Sequence, residues 1–278
     1  MARRKQPPTP EIPAALLENE HLRLKQCRHG AMLYVAGDQY VGRSLDLYGE
    51  FSEGEATVFG QILKPGMVAV DAGANIGCHT VSMARHVAPK GAVFAFEAQR
   101  IVHQMLCANV ALNGLLNVVT HHAALGGQAG EIIVPQIDYA KGGNYGGLAL
   151  GEFKRGETVT METIDGLDLP ACHLIKIDVE GMELEVLKGS VETITRYQPL
   201  LYVENDRRDR SPALIEWLLS QDYRLFWHLP RLFNPDNFFG NGDNVFDRLI
   251  SRNMFCLPKD STIGVANYQE ITSADEVF

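Results

Sequence analysis

The chain has 278 residues, 46% of them hydrophobic, and a formal net charge of −9. That is enough apolar material for one large α/β domain with its own core, and the acidic balance disfavours wholesale nucleic-acid binding through a basic surface. The five cysteines (Cys27, Cys78, Cys107, Cys172, Cys256) form no C-x-x-C pair, so no zinc site or disulfide framework is readable and a reducing, cytoplasmic compartment is expected; no apolar run approaches the ~18 residues of a membrane span.

Residues 1–13 carry Arg3, Arg4 and Lys5 followed by four prolines. With no apolar h-region they are not a secretory signal and read as a disordered tail. Residues 14–65 read as a lead-in layer. Leu22–Lys25 and Ala31–Val35 are short extended segments. Glu53–Leu63 places Ala56, Val58, Phe59, Ile62 and Leu63 at helical spacing, and Lys64-Pro65-Gly66 stops it. This layer is also a candidate surface for a homodimer.

Residues 66–278 form the main domain, where strand and helix alternate. Val68–Asp71 reads as a strand, Ile76–His86 as a helix, Ala92–Glu97 as a strand, Ile101–Asn113 as a helix and Val118–His122 as a strand. Such spacing predicts right-handed βαβ units and a mostly parallel sheet. The rhythm breaks over 126–160. There Ile132–Pro135 and Thr158–Met161 read as an inserted β-hairpin around the Gly-rich tip Gly142-Gly143-Asn144-Tyr145-Gly146-Gly147. Leu174–Val179 resumes the sheet, then come helix Met182–Lys188, strand Leu200–Glu204 and helix Pro212–Ser220. Arg224–His228 and Asn253–Leu257 read as a final antiparallel pair.

In an open α/β sheet, ligands bind at the carboxyl ends of the strands, where Asp71, Glu97, Asp178 and Glu204 fall. The turn Gly73-Ala74-Asn75-Ile76-Gly77 lacks the full G-x-G-x-x-G of dinucleotide binders, which argues against a nicotinamide-dependent dehydrogenase. An acid directly before the turn would repel a pyrophosphate but suits a cationic ligand, such as the amino acid part of S-adenosylmethionine (SAM). Glu97, 26 positions beyond Asp71, is near the ~20-residue offset at which an acid reaches a ribose diol. The block from Leu174 to Glu183, with Asp178, Glu180 and Glu183 beside Gly181, precedes a second strand ending in Glu204-Asn205. Asp178, Glu204 and Asn205 are candidate oxygen ligands for Mg²⁺. The alternative is that Asp178 and Glu204 hold substrate hydroxyls or cap helices.

The stretches VAVDAGANIGCHT, FAFEA, NVALNG, AALGG, TIDGL, LIKIDVEGMELEVLKG and PLLYVEN resemble the FkbM family of SAM-dependent, class I (Rossmann-like) methyltransferases. The resemblance runs from about residue 46 to 205, and with NMFCLP nearly to the end. It implies a Rossmann-like fold with an antiparallel final strand and methylation of hydroxyl oxygens on sugars, polyketides or related metabolites. Carried over, Asp71, Gly73, Ala74, Asn75 and Gly77 would hold the methionine part of SAM, and Asp178 would face its reactive end. Glu97 with Ala98 would bind the ribose, and His122 with Ala123 would flank the adenine. Tyr48-Gly49-Glu50 is a candidate closure over the cofactor.

The carboxylate arrangement is similar to the metal triad of catechol and some macrolide-sugar O-methyltransferases, but Gly181 stands where those enzymes place a Lys or His. A base must come from elsewhere: Glu180, Glu183 and His228 are the candidates, with Asp178 as anchor. The loop Pro230–Asn244 is expected to overhang the site. Its phenylalanines (Phe233, Phe238, Phe239) would face a ring, and its asparagines (Asn234, Asn237, Asn241, Asn244) would read the hydroxyls of a small-molecule or glycan acceptor. Two rivals stand beside O-methylation: N-methylation of a small amine, and a non-catalytic SAM-fold module in a biosynthetic assembly.

Overall fold

The computed structural model describes residues 12–149 and 153–276. The tail read over 1–13 therefore lies, but for its end, outside the described residues. The lead-in layer comprises β1 (Leu17–Glu18), β2 (Leu22–Cys27), β3 (Gly30–Val35), α1 (Val41–Tyr48) and α2 (Glu53–Ile62). The alternating segment follows as β4 (Val68–Ala72), α3 (Cys78–Val87), β5 (Ala92–Phe96), α4 (Arg100–Leu112) and β6 (Val118–His121). The insertion holds β7 (Ala124–Leu125), β8 (Gly130–Val134) and β9 (Glu157–Glu162). The remainder is β10 (Leu174–Ile177), α5 (Glu183–Lys188), α6 (Val191–Tyr197), β11 (Leu200–Glu204), α7 (Ser211–Ser220), β12 (Tyr223–His228), β13 (Asn253–Pro258) and β14 (Glu270–Ile271).

One sheet organises the molecule, in the order β14-β12-β13-β11-β10-β4-β5-β6. From β11 to β6 the strands are parallel. β13 runs antiparallel between β11 and β12. The central strands are near-continuous apolar runs because both of their faces are covered. Ile175, Ile177, Leu201 and Leu225 pack with Val186, Leu214 and Leu218 on one face. Ala69, Val93 and Tyr202 pack with Phe59, Met83 and Ala84 on the other. The chain leaves β4 for β5 on one side, while β10 lies on the other. Strand order therefore reverses between β4 and β10, and a crevice opens there.

The lead-in layer is stitched on by asparagine. Asn109 Oδ1 accepts from Leu33 N–H at 2.6 Å, and its Nδ2 donates to Leu33 O at 3.0 Å and Ile76 O at 2.7 Å. One turn later, Asn113 makes the same pair of bonds with Ala31. These two amides, one on α4 and one capping its C-terminus, satisfy the open edge of β3 as another strand would. The predicted hairpin is present as β8 and β9, in antiparallel pairing. Two departures are local. The helix expected from Ile76 begins at Cys78, because Asn75 and Gly77 have φ of +51° and +91°. And residues 41–48, unassigned from sequence, form α1, whose Val41, Leu45 and Tyr48 share a buried face. Among the described residues no helix is long and apolar enough to cross a membrane.

Candidate active site

A cleft of about 320 Å³ opens at the carboxyl ends of β4, β5, β10 and β11. Its cofactor end is built on the β4 turn. Gly73 has φ +76°, and a Cβ there would lie 1.8 Å from Asp178 O, so the turn admits only glycine. Gly73, Ala74 and Asn75 line the wall. Glu97 leaves the end of β5 almost fully buried, accepting from Asn75 N–H at 3.0 Å and Gln99 N–H at 2.8 Å. Burial pushes its pKa up to about 7 against those bonds. Each oxygen keeps a lone pair for a further donor, which is what a ribose diol supplies. Phe96, Ala98, Gln99, Ala123, Ala124 and Leu125 continue this end as a largely apolar slot. The Gly-rich tip covers it. Gly143 exchanges backbone hydrogen bonds with Gly37 and Gln39 of the lead-in layer, Gln99 Nε2 donates to Tyr145 O at 2.8 Å, and Asn144, Gly146 and Gly147 face the cleft.

Several expected contacts are corrected. Asp71 lies beneath the cleft, fully buried, accepting from Thr80 Oγ1 at 2.6 Å and paired with Lys176 Nζ at 3.2 Å. Its carboxylate is used inside the protein and does not line the cleft. Gly77 is a turn residue backed against Leu106 and does not line the cleft. His122 turns behind the slot, Nε2 3.1 Å from Ala98 O, and stacks on His103.

The other end is strongly acidic. Asp178, Glu180, Glu204 and Asp206 all line it, and oxygens of Asp178, Glu180 and Glu204 lie within 4.8 Å of one another. Burial and neighbouring Asp178 push Glu180 up to about 7 despite Arg207 at 2.9 Å. Burial with Asp178 and Glu180 pushes Glu204 well above the ordinary carboxyl range, and its Oε2 has no hydrogen-bond partner among the described residues. Lys176 stands at the centre, nearly inaccessible. It donates to Gly73 O at 2.9 Å and sits 3.2 Å from Asp71 and 3.4 Å from Asp178. Burial would lower its pKa, but the two carboxylates outweigh it and the ammonium is held above its usual range.

At this end too the structure corrects the assignments. Asn205 is buried against Met254 Sδ and does not join the acids; Glu180 takes the place expected of it. His228 is buried away from the cleft, Nδ1 2.6 Å from Tyr202 Oη and edge-on to Tyr268. Its Nδ1 is taken by that contact, and its side chain does not line the cleft. Glu183 accepts from Gly181 N–H at 2.7 Å and holds the β10 turn. Asn237 is spent on Asn234 O and Asn241 O, and Phe238 lies under the Arg28 guanidinium. Their loop packs on the lead-in layer instead of overhanging the site. Tyr48 and Glu50 hold it there: Tyr48 Oη donates to Asp243 O at 2.6 Å, and Glu50 binds Arg28, Asn234 and Phe238 N–H. Leu232 and the return of the loop, Leu249 to Asn253, are what reach the cleft.

Glu55, His79 and Lys176 line the cleft without having been singled out by sequence. The signals were present. A lysine interrupts the apolar strand Leu174-Ile175-Lys176-Ile177, and Ser52-x-x-Glu55 has the form of a capping box.

A glycine turn at the switch point, a buried acid at the next strand end and a largely apolar slot beside them are the arrangement of a class I methyltransferase site. The model of the FkbM methyltransferase domain matches residues 71–225, over half of the chain. The chain belongs to the FkbM methyltransferase family, and it is a methyltransferase domain of the kind that takes its methyl group from SAM. A curated methyltransferase of Sordaria araneosa, sdnD, is 31% identical over 153 residues, covering 43% of this chain and 59% of that protein. This chain thus spans about three fifths of that relative's length. Among solved structures, an FkbM methyltransferase from Methylobacillus flagellatus is 20% identical with a TM-score of 0.47, covering 72% of this chain and 50% of that one. TYW2 of M. jannaschii, in complex with AdoMet, is 14% identical with a TM-score of 0.48, covering 87% of each chain.

Proposed function

We propose that this chain transfers the methyl group of SAM to a hydroxyl oxygen of a polyhydroxylated small molecule, a sugar or a sugar-bearing metabolite. The carrying observation is the mixed polarity of the acceptor end. Asp178, Glu180, Glu204 and Asp206 offer acceptors, while buried Asn253, opposite Glu204 across β11 and β13, has an Nδ2 without a hydrogen-bond partner among the described residues. Hydroxyl groups both donate and accept, so one polyol answers both kinds of group. Leu232, Leu249 and Ile250 supply an apolar wall for a ring face. The donor substrate supplies an activated methyl group, and the chain supplies alignment and exclusion of water. Gly73 lets the backbone close on the methionine part, Glu97 receives the ribose, and the tip around Gly143 covers the nucleoside.

The same carboxylates favour the second reading, N-methylation of a small amine, because an ammonium would be drawn to them. A non-catalytic role is disfavoured by a cleft with its polar groups in place. A hard divalent cation such as Mg²⁺ also fits the chemistry of Asp178, Glu180 and Glu204, which would polarise an acceptor oxygen if they held one. We read the acceptor as a small molecule, not a nucleic acid, from the acidic cleft and the net charge of −9. The five free cysteines support a reducing, cytoplasmic setting.

The test is transfer of labelled methyl from SAM to matched glycosides and amines, with and without EDTA and Mg²⁺. Product on glycoside oxygen supports the proposal. Product confined to amines replaces it with the second reading, and loss of transfer in EDTA with recovery in Mg²⁺ assigns the cation.

A further inference from the structure

The Gly-rich tip is held together as a unit. Tyr139 and Tyr145 pack with ring centroids 4.9 Å apart. Tyr145 Oη donates to Lys141 O, and Gly147 N–H donates to Asn144 Oδ1 at 2.9 Å. Its ties to the rest of the molecule are of three kinds. Gly143 shares two backbone bonds with the lead-in layer, donating to Gly37 O at 3.1 Å and accepting from Gln39 N–H at 3.0 Å. Gln99 grips both tyrosine positions with one amide: its Oε1 accepts from Tyr139 Oη at 2.9 Å and its Nε2 donates to Tyr145 O at 2.8 Å. The Tyr145 ring, 4% exposed, is seated in the apolar cluster of Val35, Val41 and Ile76.

This unit lies across the cofactor end of the cleft. Asn144, Gly146, Gly147 and Leu148 line that end opposite the strand termini. A Cβ on Gly146 would stand 2.6 Å from Asn75 Nδ2, so the tip rests on the β4 turn itself. Gln99 belongs to both sides of the slot. Its backbone N–H holds Glu97 Oε1 at 2.8 Å, while its side chain holds the tip. A donor kept under such a cover is shielded from water during transfer, yet it has to be exchanged at every turnover.

We propose that the tip, Tyr139 to Leu148, is a lid that lifts to exchange SAM for S-adenosylhomocysteine, and that Gln99 is the positioning residue that latches it; this rests on the donor placement given above and not on the acceptor. Lifting breaks the grip of Gln99 and the two bonds of Gly143, and it withdraws the Tyr145 ring from its cluster. The bonds inside the tip survive, so it moves as one piece. Seating of that ring makes the open form the minor one, and exchange waits for it. Glu97 keeps its bond to the Gln99 backbone throughout, so the latch can release without disturbing the ribose acid.

The test is stopped-flow binding of SAM and release of S-adenosylhomocysteine. In the wild type the observed binding rate should level off at high SAM, at the rate of lifting. Gln99→Leu keeps the backbone N–H and loses the grip of two neutral hydrogen bonds, so that ceiling and the release rate should both rise about tenfold. Equilibrium affinity should change by less than about threefold, because entry and exit speed up together. Loss of folded stability alone would not raise the ceiling. Gly37→Cys combined with Gly142→Cys locks the seam, since a Cβ on Gly37 would stand 3.3 Å from Gly142 Cα, within reach of a disulfide. Oxidised while empty, that protein should take up no SAM until it is reduced; oxidised with SAM in place, it should not release it. A wild-type rate that climbs linearly with SAM, or uptake by the oxidised form as fast as by the reduced form, would overturn the lid while leaving the donor placement standing. Equal SAM affinity in wild type and Glu97→Gln would overturn the donor placement, and the lid with it.

Discussion

Glu97 shows how one side chain can be costly to the fold and useful to the site. Its ordinary pKa is raised to about 7 by burial. The folded protein therefore holds the proton more tightly than the unfolded chain does. Stability from this group is full at acid pH and is lost as pH rises from about 4.5 toward about 7. At pH 8 the loss is on the order of 3 kcal/mol as an upper figure. A ribose diol donates to the charged form, so SAM binding should tighten as pH rises from 6 to 8. Glu97→Gln removes the charge and keeps the shape. It should stabilise the free protein at pH 8 in urea unfolding, weaken SAM by tenfold or more in calorimetry, and flatten the pH dependence of binding. Equal affinity in the two proteins would remove Glu97 from the ribose site.

At the scale of elements, the junction of β4 and β10 depends on Lys176. It ties the β4 acid, the glycine turn and the acid after β10 through one ammonium. Lys176→Met would leave Asp71 buried with only Thr80 as a partner. Breaking a buried pair from one side costs about 3–5 kcal/mol, so denaturant unfolding should show a loss of that size. Adding Asp71→Asn should recover part of it, because the stranded charge is gone. A simple sum of the two single effects would mean that they do not interact. The strand alternation around this junction is legible in sequence because parallel strands buried on both faces must be apolar. That the lysine faces inward is not, because the same letters could have placed it at a solvent edge.

Across the whole molecule, the lead-in layer and the long loop after β12 close over one side of the sheet together. Glu50 is their knot. Nearly inaccessible, it receives Arg28, Asn234 and the Phe238 N–H. Glu50→Ala should raise amide hydrogen exchange across 230–244 and in β2 and β3, with β4 and β10 unchanged. Unchanged exchange in the loop would show that its packing against Tyr48 suffices. Because Leu249 to Asn253 are carried by the same loop, acceptor affinity should fall more than SAM affinity in this variant.

The sequence by itself determined the alternating α/β domain, its glycine turn at the end of β4, the acid at the end of β5 and the cluster after β10. Each is dictated locally: apolar runs of strand length, residues that accept positive φ, and polar groups where a strand meets solvent. Tertiary structure decided which of those groups are free. Asp71 and Asp178 both end strands, yet Lys176 and Thr80 bury one while the other faces the cleft. Glu180, not Asn205, stands beside Asp178 and Glu204 because Asn205 turns toward Met254, a residue of β13 brought beside it only by the antiparallel return. His79 and Glu55, 24 positions apart in the chain, become neighbours because α2 packs on α3. Such pairings arise from long-range packing, where charge and burial are settled by residues far away in sequence.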